Sequence, residues 1–124
     1  MANSADFLAY LRELMRDGGV ATTSRAMFGG HGLYVDGVFF AIVDDDVLYL
    51  RVDAQNRAEF EVLGCTPFEY PTKEGVHQAM SYLRAPDEAL EHADAMGRWA
   101  RSSLGAALRA AAAKKPKRTK NPKR

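Results

Sequence analysis

Near the N-terminus, Phe7, Leu8, Leu11, Leu14 and Met15 recur at i, i+1, i+4, i+7 and i+8. This is one stripe of a period of about 3.6 residues, the mark of an amphipathic helix. Asn3 or Ser4 can accept from the first free amides and Asp6 suits the first turn. Arg16 suits the last turn and Gly18-Gly19 stops the element, so a helix is predicted over 4–17. The pattern then changes. Arg25–Phe28 is a short strand-like piece, and Gly29-Gly30-His31-Gly32 separates it from Leu33–Val35. Asp36-Gly37 between Val35 and Val38 is a two-residue hairpin signal, because a type I′ turn needs positive φ at both central positions. Val38–Val43 is apolar throughout and reads as a central strand covered at least in part on both faces. Asp44-Asp45-Asp46 forms a polar turn. Val47–Val52 alternates Val47, Tyr49 and Arg51 against Leu48, Leu50 and Val52, the pattern of a half-buried strand.

Asp53 is a natural N-cap for a second helix through Leu63, with Gly64 at its end. Thr66–Tyr70 and Val76–Leu83 are two further strands joined by a loop at Pro71–Gly75. A final helix opens at Pro86-Asp87 and ends at Lys115-Pro116, with Leu90, Ala93, Gly97, Ala100, Leu104, Leu108 and Ala111 near one stripe. The predicted order is α-β(3)-α-β(2)-α, with Arg25–Phe28 either part of the first strand or a separate one. The fold class is α+β, two layers with an antiparallel sheet. Met96 and Trp99 fall off the apolar stripe of the last helix. Either Gly97 kinks the helix so that both halves pack on one body, or Met96 and Trp99 anchor a homodimer contact. The oligomeric expectation is therefore monomer or homodimer.

The chain has 124 residues, 47% hydrophobic and 27% charged, which describes one globular domain able to fold without disulfide or metal. Cys65 is the single cysteine, so no internal disulfide forms. No apolar run approaches membrane-spanning length and no signal-peptide pattern opens the chain. A cytoplasmic protein without membrane contact is the simplest reading.

The formal charge of +1 is segregated. Residues 114–124 hold five lysines, two arginines and no acid, +7, leaving ten basic against sixteen acidic groups, −6, for the other 113. Residues 1–113 are thus read as the domain and 114–124 as a disordered basic tail. Lys114, Lys115, Lys117, Arg118, Lys120, Lys123 and Arg124 could neutralise the phosphates of a nucleic acid, without reading its sequence, or shield the acidic body.

Catalytic patterns are absent. The glycine cluster lies between strands with no Lys-Ser/Thr after it, so it reads as a bend or bulge where backbones approach. His31, His77 and His92 are far apart and none has the spacing of a zinc site. Asp44–Asp46 lacks the calcium-loop spacing. Cys65 follows a predicted helix C-terminus, the wrong end to activate a thiol. No enzyme, catalytic residue, metal or cofactor is expected.

Met27-Phe28-Gly29-Gly30-His31-Gly32-Leu33-Tyr34, Asp36-Gly37, Phe40-Ala41, Leu48-Tyr49-Leu50-Arg51 and Asn56-Arg57 together resemble the TfoX/Sxy N-terminal domain family. Pro67-Phe68-Glu69-Tyr70, Met80-Ser81-Tyr82 and the helix with Trp99 continue the match, over about residues 5–110. The resemblance implies a bacterial protein with a two-layer fold like secretion chaperones and YjbR-like domains. It also implies a non-enzymatic regulator of natural competence, a transcriptional co-activator beside a catabolite-activator-type DNA-binding protein. Competence regulators of this kind carry a second, C-terminal domain where this sequence runs into its basic tail, so a stand-alone accessory protein is equally consistent. The partner expected is a protein such as a transcription factor, with nonspecific nucleic acid reached through the tail. A different class stays open: a small-molecule or enzymatic cleft near the glycine bend, with His31 and carboxylates converging.

Overall fold

The computed structural model describes residues 5–27 and 29–119, the side chains of 114–119 excepted. Helix α1 spans Ala5–Asp17, and six strands follow in two groups. Strands β1 (Thr23–Met27), β2 (Gly30–Val35), β3 (Val38–Asp44) and β4 (Val47–Arg51) precede the short helix α2 (Arg57–Glu61). Strands β5 (Pro67–Thr72) and β6 (Gly75–Arg84) lead through a 3-10 turn, Asp87–Leu90, into α3 (Ala93–Thr119). The sheet order is β1-β2-β3-β4-β6-β5, and every neighbouring pair is antiparallel. The fold is therefore α+β as expected, and the piece at 23–27 is a strand of its own.

The turns follow from local chemistry. Val35 pairs with Val38 across Asp36 (φ 50°) and Gly37 (φ 81°), the two positive φ values of a type I′ turn. Asp44 pairs with Val47 across Asp45 (φ 53°) and Asp46 (φ 57°), the same turn built without glycine. Aspartate tolerates this region because its short polar side chain can bond the nearby backbone. Met27 of β1 pairs directly with Gly30 of β2. The glycine segment is thus a hairpin corner. The bulge lies further on, where Leu33 and Tyr34 oppose Ala41 and Phe39 and leave Phe40 extra. Phe40 and Ala41 are both fully buried as a result.

One face of the sheet carries Leu33, Ala41, Val43, Leu48, Leu50 and Leu83, all buried against helices. Alpha-helices α1 and α3 cover this face, with Leu11 and Met15 from the first and Met96 and Ala100 from the second. Each such fully buried aliphatic side chain contributes roughly 1.5–3 kcal/mol. The helices touch where Gly18 meets Gly97: a methyl built on Gly97 would fall 2.2 Å from the Gly18 carbonyl oxygen. Gly97 therefore serves close packing between α1 and α3.

Several boundaries and faces differ from the sequence pattern. Alpha-helix α2 is five residues long, with Asn56 and not Asp53 at its N-cap position. Asp53 caps the turn leading into it, its carboxylate accepting from the backbone N–H groups of Gln55 and Asn56 and its carbonyl from that of Arg57. The last helix begins at Ala93 and not at Pro86, since the 3-10 turn lets Glu88 reach back to Trp99 and Arg98. It also runs past Lys115-Pro116 to Thr119. The alanines up to Ala113 propagate the helix, and proline removes a single backbone donor.

The buried stripe of α3 is Met96, Ala100, Ser103 and Ala107, with Trp99 beside it, while Leu108 is exposed. Bulk decides this rotation, since the sheet and α2 receive the largest side chains. Trp99 is 7% exposed, stands edge-on to Phe60 with ring centroids 4.9 Å apart, and donates Nε1–H to Glu88 at 2.7 Å. Met96 is fully buried. The exposed dimer anchor expected of Met96 and Trp99 is thus corrected: both are core residues of this chain.

Candidate functional site: a groove on the open face of the sheet

The face of the sheet away from the helices is built by the other strand parity. Met27, Gly30, Gly32, Tyr34, Phe39, Ile42, Asp44, Tyr49, Tyr82, Phe68 and Tyr70 share it through the observed registers. Its centre is a groove of about 470 Å³ bordered by Met27, Phe39, Ile42, Phe68, Tyr70, Ala79 and Tyr82, with Pro71, Asp44 and Glu69 at its edge. The rings form a nearly continuous wall: Tyr34–Phe39 at 5.2 Å, Phe39–Tyr82 at 5.6 Å, Tyr49–Phe68 at 5.0 Å and Phe68–Tyr70 at 5.8 Å between centroids. Such spacings are those of favourable tilted or offset ring pairs.

The glycines make the floor. A methyl on Gly32 would lie 2.6 Å from the Met27 sulfur and 2.8 Å from the Phe39 ring. A methyl on Gly30 would lie 2.3 Å from the Val43 carbonyl oxygen and 3.3 Å from the Asp44 carboxylate. Absence of a side chain at Gly32 lets Met27 and Phe39 fold down over β2, and its absence at Gly30 lets β2 lie close against Val43 and Asp44 of β3.

Charge on this face is unevenly placed. Arg25 lies over the Tyr34 ring at 5.1 Å, and Arg51 over Tyr82 at 5.5 Å, also donating to the Tyr82 hydroxyl at 3.4 Å. Arg84 stands opposite Tyr49 in the ladder. None of the three borders the groove. Burial, then the neighbouring Asp45, pushes the Asp44 carboxyl above its ordinary value. Ion pairs among the described residues join Arg57 to Glu61, Arg98 to Glu88 and Arg109 to Asp53, so Asp44 has no cation. Burial also raises the Tyr82 hydroxyl, against the Arg51 contact that lowers it.

His31 does not enter the groove. It pairs with Val43 on the helix side of the sheet, where its Nδ1 is buried without a partner. The convergence of His31 with carboxylates, on which the alternative of a cleft near the glycine bend rested, is not present. His77 packs beside Tyr70 at 6.0 Å on the β5–β6 hairpin, and His92 is exposed before α3. Among the described residues no group of three or more His, Cys, Asp or Glu side chains could hold a metal ion. Burial, reinforced by Asp87, raises the Cys65 thiol pKa, which leaves it a poor nucleophile. No helix among the described residues is long and apolar enough to cross a membrane.

Of the expected nucleic-acid contacts, Lys114, Lys115, Lys117 and Arg118 lie where only the backbone of α3 is described, and Lys120, Lys123 and Arg124 lie outside the described residues. The groove itself was not read from the sequence. Its signal was one parity of aromatic residues, Tyr34, Phe39, Phe68, Tyr70 and Tyr82, matched by Gly30 and Gly32 on the same face.

The sequence profile of the TfoX N-terminal domain matches residues 13–107, which includes all six strands and both walls of the groove. The chain belongs to the TfoX N-terminal domain family. It is also similar to the DNA transformation protein TfoX1 of Aliivibrio fischeri (strain ATCC 700601 / ES114), 43% identical over 49 residues. That similarity covers 40% of this chain and 23% of the relative, so the chain spans about a quarter of that protein's length. The family expected from the glycine–aromatic segment is thereby established.

Proposed function

We propose that this domain is a non-enzymatic regulatory or adaptor module acting in DNA transformation, and that it docks a protein partner, such as a transcription factor, through α2 and the β5–β6 hairpin. The observation that carries this reading is where exposed apolar side chains concentrate. Val62 (71% exposed) and Leu63 (57%) lie in the turn after α2, and Val76 (68%) and Met80 (51%) on β6 of the β5–β6 hairpin. Arg57 of α2 joins these elements, its guanidinium donating to the Met80 carbonyl. Exposed apolar side chains grouped on neighbouring elements mark interaction surfaces, whereas scattered ones carry no meaning. The family and the name of its DNA transformation relative supply the regulatory context. The basic run 114–124 adds sequence-independent affinity for nucleic acid by neutralising phosphates.

The test is affinity capture of the full chain from extract of its own cells, treated with nuclease, beside a Val76→Ser/Met80→Ser variant. A protein retained by the unmodified chain and lost from the variant supports the surface. Equal retention by both rules it out.

A further inference from the structure

The exposed strip on α2 and the hairpin does not involve the groove, and the groove has a chemistry of its own. Its lining carboxylate placed by register on the open face is Asp44. Glu69 borders the groove, but its register position is on the opposite face, where Gln78 Nε2 donates to its carboxylate at 3.0 Å. Asp44 is partly buried beside Asp45 and has no ion-pair partner among the described residues, and an incoming positive charge would offset the cost of its partial desolvation.

We propose that the groove is a binding site for a small organic cation, an ammonium or guanidinium group on an apolar body, with Asp44 as counter-ion and the rings of Phe39, Phe68 and Tyr82 as walls. The volume of about 470 Å³ suits a small ligand. The aromatic lining suits it further, because ring faces attract cations. Tyrosines of this same face already hold two arginines in that way, Arg25 on Tyr34 and Arg51 on Tyr82. Arg25, Arg51 and Arg84 share the open face but stand outside the groove, whose lining holds no basic side chain. An anion entering it would meet Asp44 and no basic lining residue. A neutral apolar guest would desolvate Asp44 further and give it nothing in return.

The experiment is titration of the full chain, followed by amide NMR, with benzyltrimethylammonium, benzyl alcohol and benzoate as probes of one size and three charges. The cation binds, shifting the amides of Ile42, Asp44 and Ala79, while benzyl alcohol binds at least about fivefold more weakly and benzoate not at all, as expected for one charge-assisted contact. Asp44→Asn, which keeps the shape of the side chain, reduces the preference for the cation over the alcohol by at least about fivefold. Ala79→Leu, which fills the groove from the hairpin side, abolishes binding of the cation. Equal binding of cation and alcohol, an Asp44→Asn variant with undiminished preference, or no binding at millimolar probe each overturns the proposal.

Discussion

Gly18 and Gly97 meet backbone to backbone, with a methyl on Gly18 falling 2.3 Å from the Ala93 carbonyl oxygen and one on Gly97 falling 2.2 Å from the Gly18 carbonyl oxygen. The neighbouring Arg101 guanidinium donates to that same Gly18 oxygen at 2.8 Å. Neither contact can yield by rotating a side chain, because backbone lies on both sides. Gly97→Ala should therefore separate α1 from α3 and cost about 1–3 kcal/mol, as overpacking does. Gly105, in the same helix, meets only the flexible end of Arg109 at 3.4 Å. Gly105→Ala should stabilise by up to about 1 kcal/mol through helix propensity. Urea denaturation of the two variants should move the midpoint in opposite directions.

The burial of Trp99 separates its role from that of an interface residue. Trp99→Ala should cost about 3–5 kcal/mol, since it empties the space beside Phe60 and removes one of the two donors to the Glu88 carboxylate. Trp99→Phe should keep the packing and leave the solution mass unchanged at every concentration, which light scattering checks. A mass that falls in the phenylalanine variant would return Trp99 to an interface.

Arg109 binds Asp53 through two hydrogen bonds, Nε to Oδ2 at 2.6 Å and Nη2 to Oδ1 at 2.9 Å. That hydrogen bonding, with the backbone amides of Gln55 and Asn56, holds the Asp53 pKa at about 2 against its ordinary 3.8. A carboxyl whose folded pKa is depressed stabilises the fold above its unfolded value, and the stabilisation is lost as pH falls through the folded one. Stability should thus decline between about pH 4 and pH 2. In Asp53→Asn the part of that decline due to this group should vanish, as thermal melts across the range will show.

The tail prediction rests on counting. Seven basic groups in residues 114–124 permit at most seven phosphate contacts. Affinity for duplex DNA should then fall with salt on a log–log slope no steeper than about −6. Removal of residues 114–124 should abolish binding, and base sequence should not matter. Retained binding after truncation would move the contact to the folded domain.

Turns and faces differed in how readily the sequence disclosed them. Asp36-Gly37 was legible because a type I′ turn demands positive φ, which few residue pairs accept. The parity of Leu48, Leu50 and Val52 was legible because a strand with one buried face has period two. The rotation of α3 was not, because its alanines are apolar all round and only the volumes of Met96 and Trp99, placed against Phe60, select a face. The groove was hidden for a related reason. Phe68 and Tyr70 read as ordinary strand residues, and only the register of β6 against β4 brings them beside Tyr49. The glycines were read correctly as architecture, but what that architecture makes room for depends on Met27 and Phe39 from two other strands.

The sheet order has a kinetic meaning. Every neighbouring pair except β4 with β6 is joined by a tight hairpin, so most of the sheet can form from residues already close along the chain. Among the contacts that must wait for distant segments are Leu50 with Leu83, which joins β4 to β6, and Gly18 with Gly97, which joins the end of α1 to α3. Because closing long loops precedes the contacts that reward it, these two closures should set the pace of folding. Leu83→Ala should then slow refolding in stopped-flow experiments, while a comparable truncation at Val35, inside a hairpin, should chiefly hasten unfolding.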